Sequence, residues 1–441
     1  MAIIKRSLVM AFVLALVLTG CVHLNSVKTP AAYSLDDVFI DPSFARMEVL
    51  PGYRGYAGKV IKVEPFNRVN WLDNSTAIYW NWDKGKEGYY QITVSMSVMA
   101  ESASTNKAVI SAYRPPQRTS RSPTELKWNG PANIGWTVQN GEKWDQFGGK
   151  AVEIPVGKWV DLTFTQAVET ASTDSGQVYL DGHSDHQGLL DLTLYVRNFR
   201  VTMKSTNNFI AMTFDNAPSD FTDVLLDKLY ELNVKSTFFL LRAGIEAEHP
   251  IHDKLLPAAE RKAKTVERKA VVKRIFEEGH SIGILADIPN PPTEAAIRKE
   301  LEDSRLAIQK AVYGDDNYSK QQWVPRYIRI PPETDPAAVT ILKKVAAEME
   351  MPIILGSGYG DNKRDSPEEN AELLYSKCKT WEVIINKDLR SDGSILKVLD
   401  ILIPKLTAES YVSVTLSKMA ELRKKPLIPG NVYDNLDPAA P

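Results

Sequence analysis

An acid and an amide, Asp215 and Asn216, directly follow a run of apolar and β-branched residues that begins at Phe209. Such a run predicts a buried strand that delivers polar side chains to the edge of a sheet. The α/β folds keep their chemistry at that edge. Three further acids of the same half of the chain are candidates to support a hydrolytic reaction, namely Asp287, Glu333 and Asp361.

Strands and helices alternate in the part of the chain that holds these residues. The strand 209–214 precedes a helical pattern over 223–232, and 235–241 reads as the next strand. A charged helical insert occupies 246–278, for which a solvated helix face is the default interpretation. This β-α-β order predicts a parallel sheet or barrel.

The segment 213–218 reads T-F-D-N-A-P and closely resembles the T-F-D-D-G-P opening motif of the polysaccharide deacetylases, the NodB-homology or carbohydrate esterase 4-like family. The segments 235–239 and 416–419 also resemble family motifs, so the resemblance covers 208–420. It implies a distorted (β/α) barrel of the NodB-homology type with fewer than eight strands. It also implies a hydrolase that acts on the C–N or ester bonds of acetylated glycans.

The family's site residues transfer only in part. The resemblance makes Asp215 the general base and Arg329, in R-I-P-P, the residue that holds an acid in place. The family's divalent metal would be held at Asn216 and at two histidine positions, which the likeness of 279–289 to G-H-E-I-G-N-H-T-x-x-H assigns to Leu285 and Pro289. All three metal positions are therefore degenerate.

Imidazole is missing from the remaining motifs as well. The late histidine that would protonate the leaving amine falls within 384–388, and no histidine follows His280 in the chain. A complete zinc site is worth about 10–16 kcal/mol, and these exchanges should remove most of that free energy. We therefore predict no metal and no cofactor, with Asp215 and Arg329 retained as a vestigial pair.

The preceding part of the chain is a series of short alternating runs separated by turn residues, for example 89–98, 158–164 and 192–201. This pattern predicts an antiparallel β-sandwich. The segments 157–162 and 194–201 resemble strands of the jelly-roll carbohydrate-binding modules that occur beside xylanases. We place this domain at 41–205, followed by the barrel at 206–422 and a C-terminal tail at 423–441.

Seven of the nine tryptophans fall in the predicted sandwich. Exposed aromatic rings stack on the apolar face of a pyranose. Trp159 has the surroundings of a core strand residue, whereas five others have loop-like surroundings. Those five are the predicted carbohydrate-binding residues: Trp80, Trp82, Trp128, Trp136 and Trp144.

The amino terminus has the pattern of a targeting segment. Lys5 and Arg6 precede an apolar stretch, 8–18, that is too short to span a membrane, and L-T-G-C follows at 18–21. This resembles a bacterial lipobox, which implies a signal peptide at 1–20, a lipid on Cys21 and a tether over 21–40. Val22 after the cysteine favours the outer membrane. An ordinary secretory signal with an incidental cysteine is the alternative.

Charge and composition limit the partners of the protein. A net charge of −2 argues against a nucleic-acid partner, although a local basic patch stays open. The predicted partners are a polysaccharide or cell-wall glycan and, through the lipid, a membrane. We favour a surface lipoprotein that binds polysaccharide and carries a non-catalytic deacetylase-like barrel. The alternative is an active de-N- or de-O-acetylase, or another glycan hydrolase, with a rebuilt site.

Overall fold

A computed structural model provides the structure of the protein. It describes residues 31–35, 39–40, 45–65, 76–81, 88–102, 107–112, 133–140, 143–147, 151–170, 175–180, 192–248, 253, 255–317, 323–356, 358–359, 366–387 and 393–439.

The first part of the described chain is all β. Its strands are β1 Ala31–Ser34, β2 Phe39–Ile40, β3 Ala45–Leu50, β4 Val60–Pro65, β5 Thr76–Asn81, β6 Gly88–Ser102, β7 Lys107–Ala112, β8 Asn133–Asn140, β9 Lys143–Phe147, β10 Ala151–Pro155, β11 Val160–Thr170, β12 Ser175–Leu180 and β13 Leu192–Ser205. They form two sheets, one in the order β11-β6-β13-β4-β3 with β1 on β13, the other in the order β10-β7-β8-β12-β5-β2 with β9 on β8. Every described pairing is antiparallel except β7 with β8. The predicted antiparallel architecture is present, and the jelly-roll assignment stays a prediction.

Two findings here differ from the sequence-based expectations. Trp80, Trp136 and Trp144 lie within β5, β8 and β9 and not in loops, because each segment is held by backbone pairing to a neighbouring strand. The stretch expected to be a tether contributes β1, which pairs with β13, and β2, which pairs with β5. β1 and β2 have only four and two residues, which is too short to show an alternating pattern in the sequence.

The second part of the described chain combines a parallel sheet with helices. Its strands are β14 Asn208–Ala217, β15 Thr237–Leu240, β16 Ser281–Leu285, β17 Ile328–Arg329, β18 Ile353–Ile354, β19 Gly358–Tyr359, β20 Glu382–Lys387, β21 Tyr411–Ser413 and β22 Val432–Tyr433. Its helices are α1 Thr222–Glu231, α2 Arg242–Ile245, α3 Ala258–Glu277, α4 Glu294–Tyr313, α5 Pro336–Glu348, α6 Pro367–Lys377, α7 Ser394–Ala408 and α8 Leu416–Leu422. None of these helices is long and apolar enough to span a membrane, among the residues described.

The strands of this second part form one sheet in the order β19-β20-β14-β15-β16-β17-β18-β22, with β21 also on β14. All pairings between these strands are parallel. The predicted β/α architecture is therefore confirmed. The expected strand number, fewer than eight, is wrong, since the sheet has nine strands. Several of them are two residues long, and such short segments carry no periodic signal.

The segment 431–436 connects β18 with β20, which lie near opposite ends of this sheet. Its strand β22 pairs with β18, and Asn435 then forms an isolated antiparallel bridge with Glu382 at the start of β20. The Leu436 N–H donates to the carbonyl of Trp381 at 2.9 Å, and the Leu436 side chain is fully buried. The segment that we expected to be a tail therefore packs as part of the barrel.

Strand β14 is buried on both faces, which is typical of a strand in a parallel sheet. Ile210, Met212 and Phe214 belong to the large apolar cluster that includes the helices. Phe209 and Ala211 alternate with them and belong to a second apolar cluster, with residues of β15, β16, β18 and β20. Because side chains alternate along a strand, Asp215 lies on the face of Phe209 and Ala211, the inner face of the barrel.

The β domain and the barrel share a packed junction. Gln91 of β6 donates to the carbonyl of Thr407, and the Lys204 ammonium donates to the Ser410 hydroxyl at 3.2 Å. The rings of Tyr89 and Phe209 meet edge to face with centroids 4.9 Å apart. The end of the first sheet is thus fixed against the loop that follows α7.

Candidate functional site

The centre of the candidate site is a buried ion pair on the inner face of the barrel. The Arg329 Nη1 lies 2.7 Å from Asp215 Oδ1, and the side chains are 1% and 8% exposed. Asp215 is located near the carboxyl end of β14, and Arg329 is the last residue of β17. The structure therefore brings together the two residues that the motifs selected, at the sheet edge where the sequence placed them.

Arg329 is held by more than its partner acid. Its Nη1 also donates to the Thr213 hydroxyl at 2.7 Å, and its Nε donates to the carbonyl of Ile354 at 3.1 Å. The guanidinium carbon lies 4.0 Å from the ring centroid of Phe239. Arg329 thus spans the inside of the barrel from β17 to β14, and its position is determined by contacts from three other strands, β14, β15 and β18.

Thr213, Phe239 and Ile354 are the residues of this site that the sequence did not reveal. Thr213 lies two residues before Asp215, so strand alternation places both on one face, and this signal was available. The Thr213 hydroxyl passes the network on by donating to the carbonyl of Ile384 at 2.9 Å. Phe239 and Ile354 had no recognisable signal, because they meet Arg329 only through the closure of the barrel.

Asn216 occupies a bulge between β14 and β15. The register of the two strands shifts between Asp215 and Ala217, and Asn216 has a φ of +66°. Asparagine tolerates this left-handed conformation better than most residues. The position of the family's metal-binding acid is therefore an amide on a bulge, directly beside the buried ion pair.

The two predicted histidine positions hold no donor atom. Leu285 is 5% exposed and packs in the inner apolar cluster with Phe239 and Tyr327. Pro289 is half-buried in the loop after β16. Throughout the described ranges, no group of three or more His, Cys, Asp or Glu side chains is arranged to hold a metal ion. With an amide, a leucine and a proline as its donor set, the site does not fit the family's divalent metal.

Other polar candidates are placed around the same sheet edge. Asn386, in the segment assigned to the missing late histidine, is buried, and its Nδ2 donates to the carbonyl of Thr213 at 3.4 Å. Asp287 and Glu333 are exposed in the loops that follow β16 and β17. Asp361 lies outside the described residues, as do Trp82, Trp128 and Cys21.

His280 lies away from this edge, immediately before β16 begins. Its Nδ1 accepts the Ser236 N–H at 3.0 Å, and its ring meets that of Phe238 edge to face. Burial, with the nearby cations Lys235 and Arg274, lowers the pKa of His280 from its usual value to about 3. His280 is therefore a neutral core residue at the opposite end of the sheet from Asp215.

Part of the chain that contains this site is similar to proteins of a known family. The polysaccharide deacetylase family model matches residues 202–338. The peptidoglycan-N-acetylglucosamine deacetylase PgdA of Listeria monocytogenes is 27% identical over 224 residues, which cover 50% of this chain and 40% of that protein. A bifunctional xylanase/deacetylase of Pseudobutyrivibrio xylanivorans is 21% identical over 226 residues, which cover 50% of this chain and 32% of that protein.

A solved structure is also similar to the chain. The Xyl-CE4 domain of a multidomain xylanase from the hindgut metagenome of Trinervitermes trinervoides matches at 19% identity with a TM-score of 0.41, covering 52% of this chain and 98% of that domain. The chain spans less than half the length of the two curated relatives. The family match contains Asp215 and Arg329 and the degenerate metal positions. The chain therefore carries a domain of the polysaccharide deacetylase family.

Proposed function

We propose that this protein is a lipid-anchored protein of the bacterial cell envelope that binds polysaccharide, and that its deacetylase-like barrel does not catalyse metal-dependent deacetylation. The β domain supplies glycan binding in this proposal, and the barrel acts as a scaffold or second glycan-binding cleft. Cell-wall glycan is the expected ligand class, because the relatives are named for peptidoglycan and xylan chemistry.

The donor set at the carboxyl edge of the barrel carries the proposal. A deacetylase of this family needs an acid and two imidazoles around its metal, and the corresponding residues are Asn216, Leu285 and Pro289. Leu285 offers no donor atom and is buried in the inner apolar cluster together with Phe239 and Tyr327. Loss of both imidazoles, with an amide in place of the acid, removes most of the affinity of a zinc site.

The Asp215–Arg329 pair is a separate feature of the site. A general base must reach the proton that it takes, within about 2.6–3.2 Å or through one water. Asp215 is 5% exposed, and one of its oxygens is bound by Arg329. The resemblance implies this same pair for the family's general base, so the proposal rests on the metal positions and not on the state of Asp215.

Metal content and acetate release test the proposal directly. Purified protein, assayed with added zinc, cobalt or manganese on chitooligosaccharides and acetylated xylan, should bind no stoichiometric metal and release no acetate. The variant Asn216→Asp/Leu285→His/Pro289→His restores an acid and two imidazoles to the expected positions. Metal bound by this variant and absent from the wild type would show that the donor set is what the barrel lacks.

Asp215→Ala is the matched control for the alternative function. Acetate release by the wild-type protein that disappears in Asp215→Ala would contradict the proposal and establish a hydrolase with a rebuilt site. Asp287→Ala and Glu333→Ala would then identify which exposed acid takes part.

The anchor is a separate part of the proposal. It rests on the L-T-G-C sequence at 18–21 and implies an outer-membrane location through a lipid on Cys21. Cys21→Ala should leave an unprocessed or soluble form, as measured by metabolic labelling with a fatty acid and by fractionation. Unchanged labelling of Cys21→Ala would contradict the anchor without affecting the proposal for the barrel.

A further inference from the structure

An aromatic and polar cluster covers one end of the first sheet, on the strands β6, β11 and β13. The guanidinium carbon of Arg197 lies over two rings, 4.1 Å from the centroid of Trp159 and 4.7 Å from that of Tyr56. Trp159 precedes β11, Tyr56 precedes β4, and all three residues are half-buried. The rings fix the plane of the guanidinium from two elements of the domain.

Arg197 has no oxygen partner among the described residues. Its Nε is buried and donates to nothing in that part of the chain. Arginine has five N–H donors in a planar fork, and ring stacking uses the faces of that plane and leaves the donors at its edge. The buried Nε is closed to solvent, whereas the two Nη groups are not buried and donate to no described residue, so they are the donors that an acceptor from outside can reach.

A hydrogen-bond chain holds the cluster in place. The Tyr56 hydroxyl donates to Asn198 Oδ1 at 2.8 Å, and Asn198 Nδ2 donates to the Ser97 hydroxyl at 3.1 Å. Ser97 in turn donates to Asp161 Oδ1 at 2.6 Å. Asn198 has a φ of +54° and lies at the irregularity in the register of β13 with β6. The bulge therefore serves to aim Asn198 at Tyr56, beside Arg197.

The neighbouring acid, Glu101, is already compensated. It accepts hydrogen bonds from Tyr53 at 2.5 Å and from Tyr195 at 3.1 Å, and Arg54 lies 2.5 Å from it. Glu101 is therefore not available to Arg197, although both belong to the same end of the sheet. Arg197 and Asp161 are the two charges of the cluster that form no ion pair with a described residue, and Asp161 is bound by the Ser97 hydroxyl.

From these contacts we infer that Arg197 binds the carboxylate of an acidic glycan, with Trp159 and Tyr56 holding the guanidinium for bidentate recognition. The inference rests on the proposed polysaccharide binding and names the class of ligand. A carboxylate fits the planar fork with two parallel hydrogen bonds. Asp161 lies opposite Ser97 on the neighbouring strand and brings a negative charge close to Arg197. A ligand with one negative charge is repelled less by Asp161 than a dianionic phosphate, so a carboxylate is the better match for Arg197.

The test compares a polymer with its neutral counterpart. Full-length protein is run in affinity electrophoresis with glucuronoxylan and with the same polymer after carboxyl reduction, and is also pulled down with peptidoglycan sacculi. We expect retention by the acidic polymer or by the sacculi, and at least several-fold weaker retention by the reduced polymer. The two arms distinguish a uronate from the carboxylates of peptidoglycan, and retention in either arm supports the inference if it depends on Arg197.

Two arginines of one strand supply matched variants. Arg197→Gln should weaken binding about 10- to 100-fold, the usual range for a charge-assisted hydrogen bond. Arg197→Lys keeps the charge and loses the fork, so it should also bind more weakly. Arg200→Gln removes an exposed cation three residues away and should change binding by less than about threefold, as expected for a surface charge.

The outcomes separate this inference from the proposed function. Equal retention by both forms of the polymer, or binding that Arg197→Gln and Arg197→Lys leave unchanged, would overturn the carboxylate site and leave polysaccharide binding standing. Retention by neither polymer nor sacculi, with the protein folded by circular dichroism, would overturn both. Inhibition by inorganic phosphate far stronger than by acetate would contradict the preference for a carboxylate.

Discussion

Arg329 of the barrel and Arg197 of the β domain make the same kind of ring contact in opposite chemical settings. Their guanidinium carbons lie 4.0 Å and 4.1 Å from the centroids of Phe239 and Trp159. Arg329 donates to an acid, a hydroxyl and a carbonyl within the barrel. Arg197 has rings on its faces and no oxygen acceptor in the described chain.

This difference indicates where each domain can bind a ligand. The motif that identifies the family leads to an arginine whose Nε and Nη1 donate to partners inside the barrel, so it stabilises the barrel. The arginine outside any family motif is fixed in orientation and still has donors to offer. A recognisable motif and an available binding group are therefore found in different domains of this chain.

Among variants that test this difference between the two arginines, replacement of Arg329 should have the largest effect, on the stability of the barrel. Arg329→Gln leaves Asp215 as a buried charge without its cation, which should lower the free energy of unfolding by about 3–5 kcal/mol. Urea unfolding followed by tryptophan fluorescence measures this loss. Arg326→Gln, which removes an exposed arginine of the same segment, should change the free energy by no more than about 0.5 kcal/mol.

The double variant sharpens this result. Asp215→Asn/Arg329→Gln removes both charges, so it should be more stable than Arg329→Gln alone. Equal stability of the single and double variants would show that Asp215 is not an uncompensated charge when Arg329 is removed, and the description of the pair as structural would then be wrong.

His280 is a further buried basic side chain, and burial with two nearby cations lowers its pKa. Its pKa is about 3 in the folded protein, below the ordinary value of 6.5, so only the unfolded chain takes up a proton between these values. Its stabilising contribution is complete above pH 6.5 and is lost as the pH falls toward 3. The loss at pH 5 relative to pH 7.5 should be about 2 kcal/mol.

His280→Asn isolates this contribution, since the other titrating groups are unchanged. Urea unfolding at the two pH values should show a smaller pH dependence for the variant than for the wild type. The same pH dependence in both proteins would mean that His280 is also protonated in the folded protein over this pH range, contrary to its burial.

The smallest expected effect is that of Arg197 on stability. Arg197→Gln removes two stacking contacts from a partly exposed site, which are worth about 0.5–1 kcal/mol each. A loss near 1 kcal/mol, measured by the same unfolding experiment, would contrast with the effect of Arg329→Gln. A loss as large as that of Arg329→Gln would show that Arg197 is a structural residue and would count against its role in binding.

The sequence predicted the strands and helices that are determined by the pattern of neighbouring residues. The strand expected at 209–214, the helix expected at 223–232 and the strand expected at 235–241 correspond to β14, α1 and β15. The carboxyl-edge position of Asp215 and Arg329 followed from these elements and the family motifs. Local periodicity and known strand-to-loop order were sufficient for this half of the prediction.

The remainder depended on contacts between residues far apart in the chain. Trp80, Trp136 and Trp144 were expected in loops because asparagine and aspartate are frequent near them, yet backbone pairing places them in strands. Arg197 meets Tyr56 across 141 positions of sequence, and no local pattern reports such a contact. Phe239 and Ile354, which contact Arg329, were missed for the same reason, whereas Asp215 came from the motif and Thr213 could have been found from strand alternation.

The bridge from β18 to β20 by the segment 431–436 affects the order in which the chain can fold as it emerges, amino terminus first, from the export machinery of the proposed lipoprotein. Every other barrel strand precedes this segment in the chain, so the rest of the sheet has emerged before the residues that join β18 to β20 are available. The β domain, whose described strands all lie before residue 206, can pair completely at a much earlier stage. Domains generally fold in the order in which they are made. The emerging chain therefore passes through a state with a finished β domain and an open barrel, whose exposed apolar interior makes it the stage most in need of a chaperone.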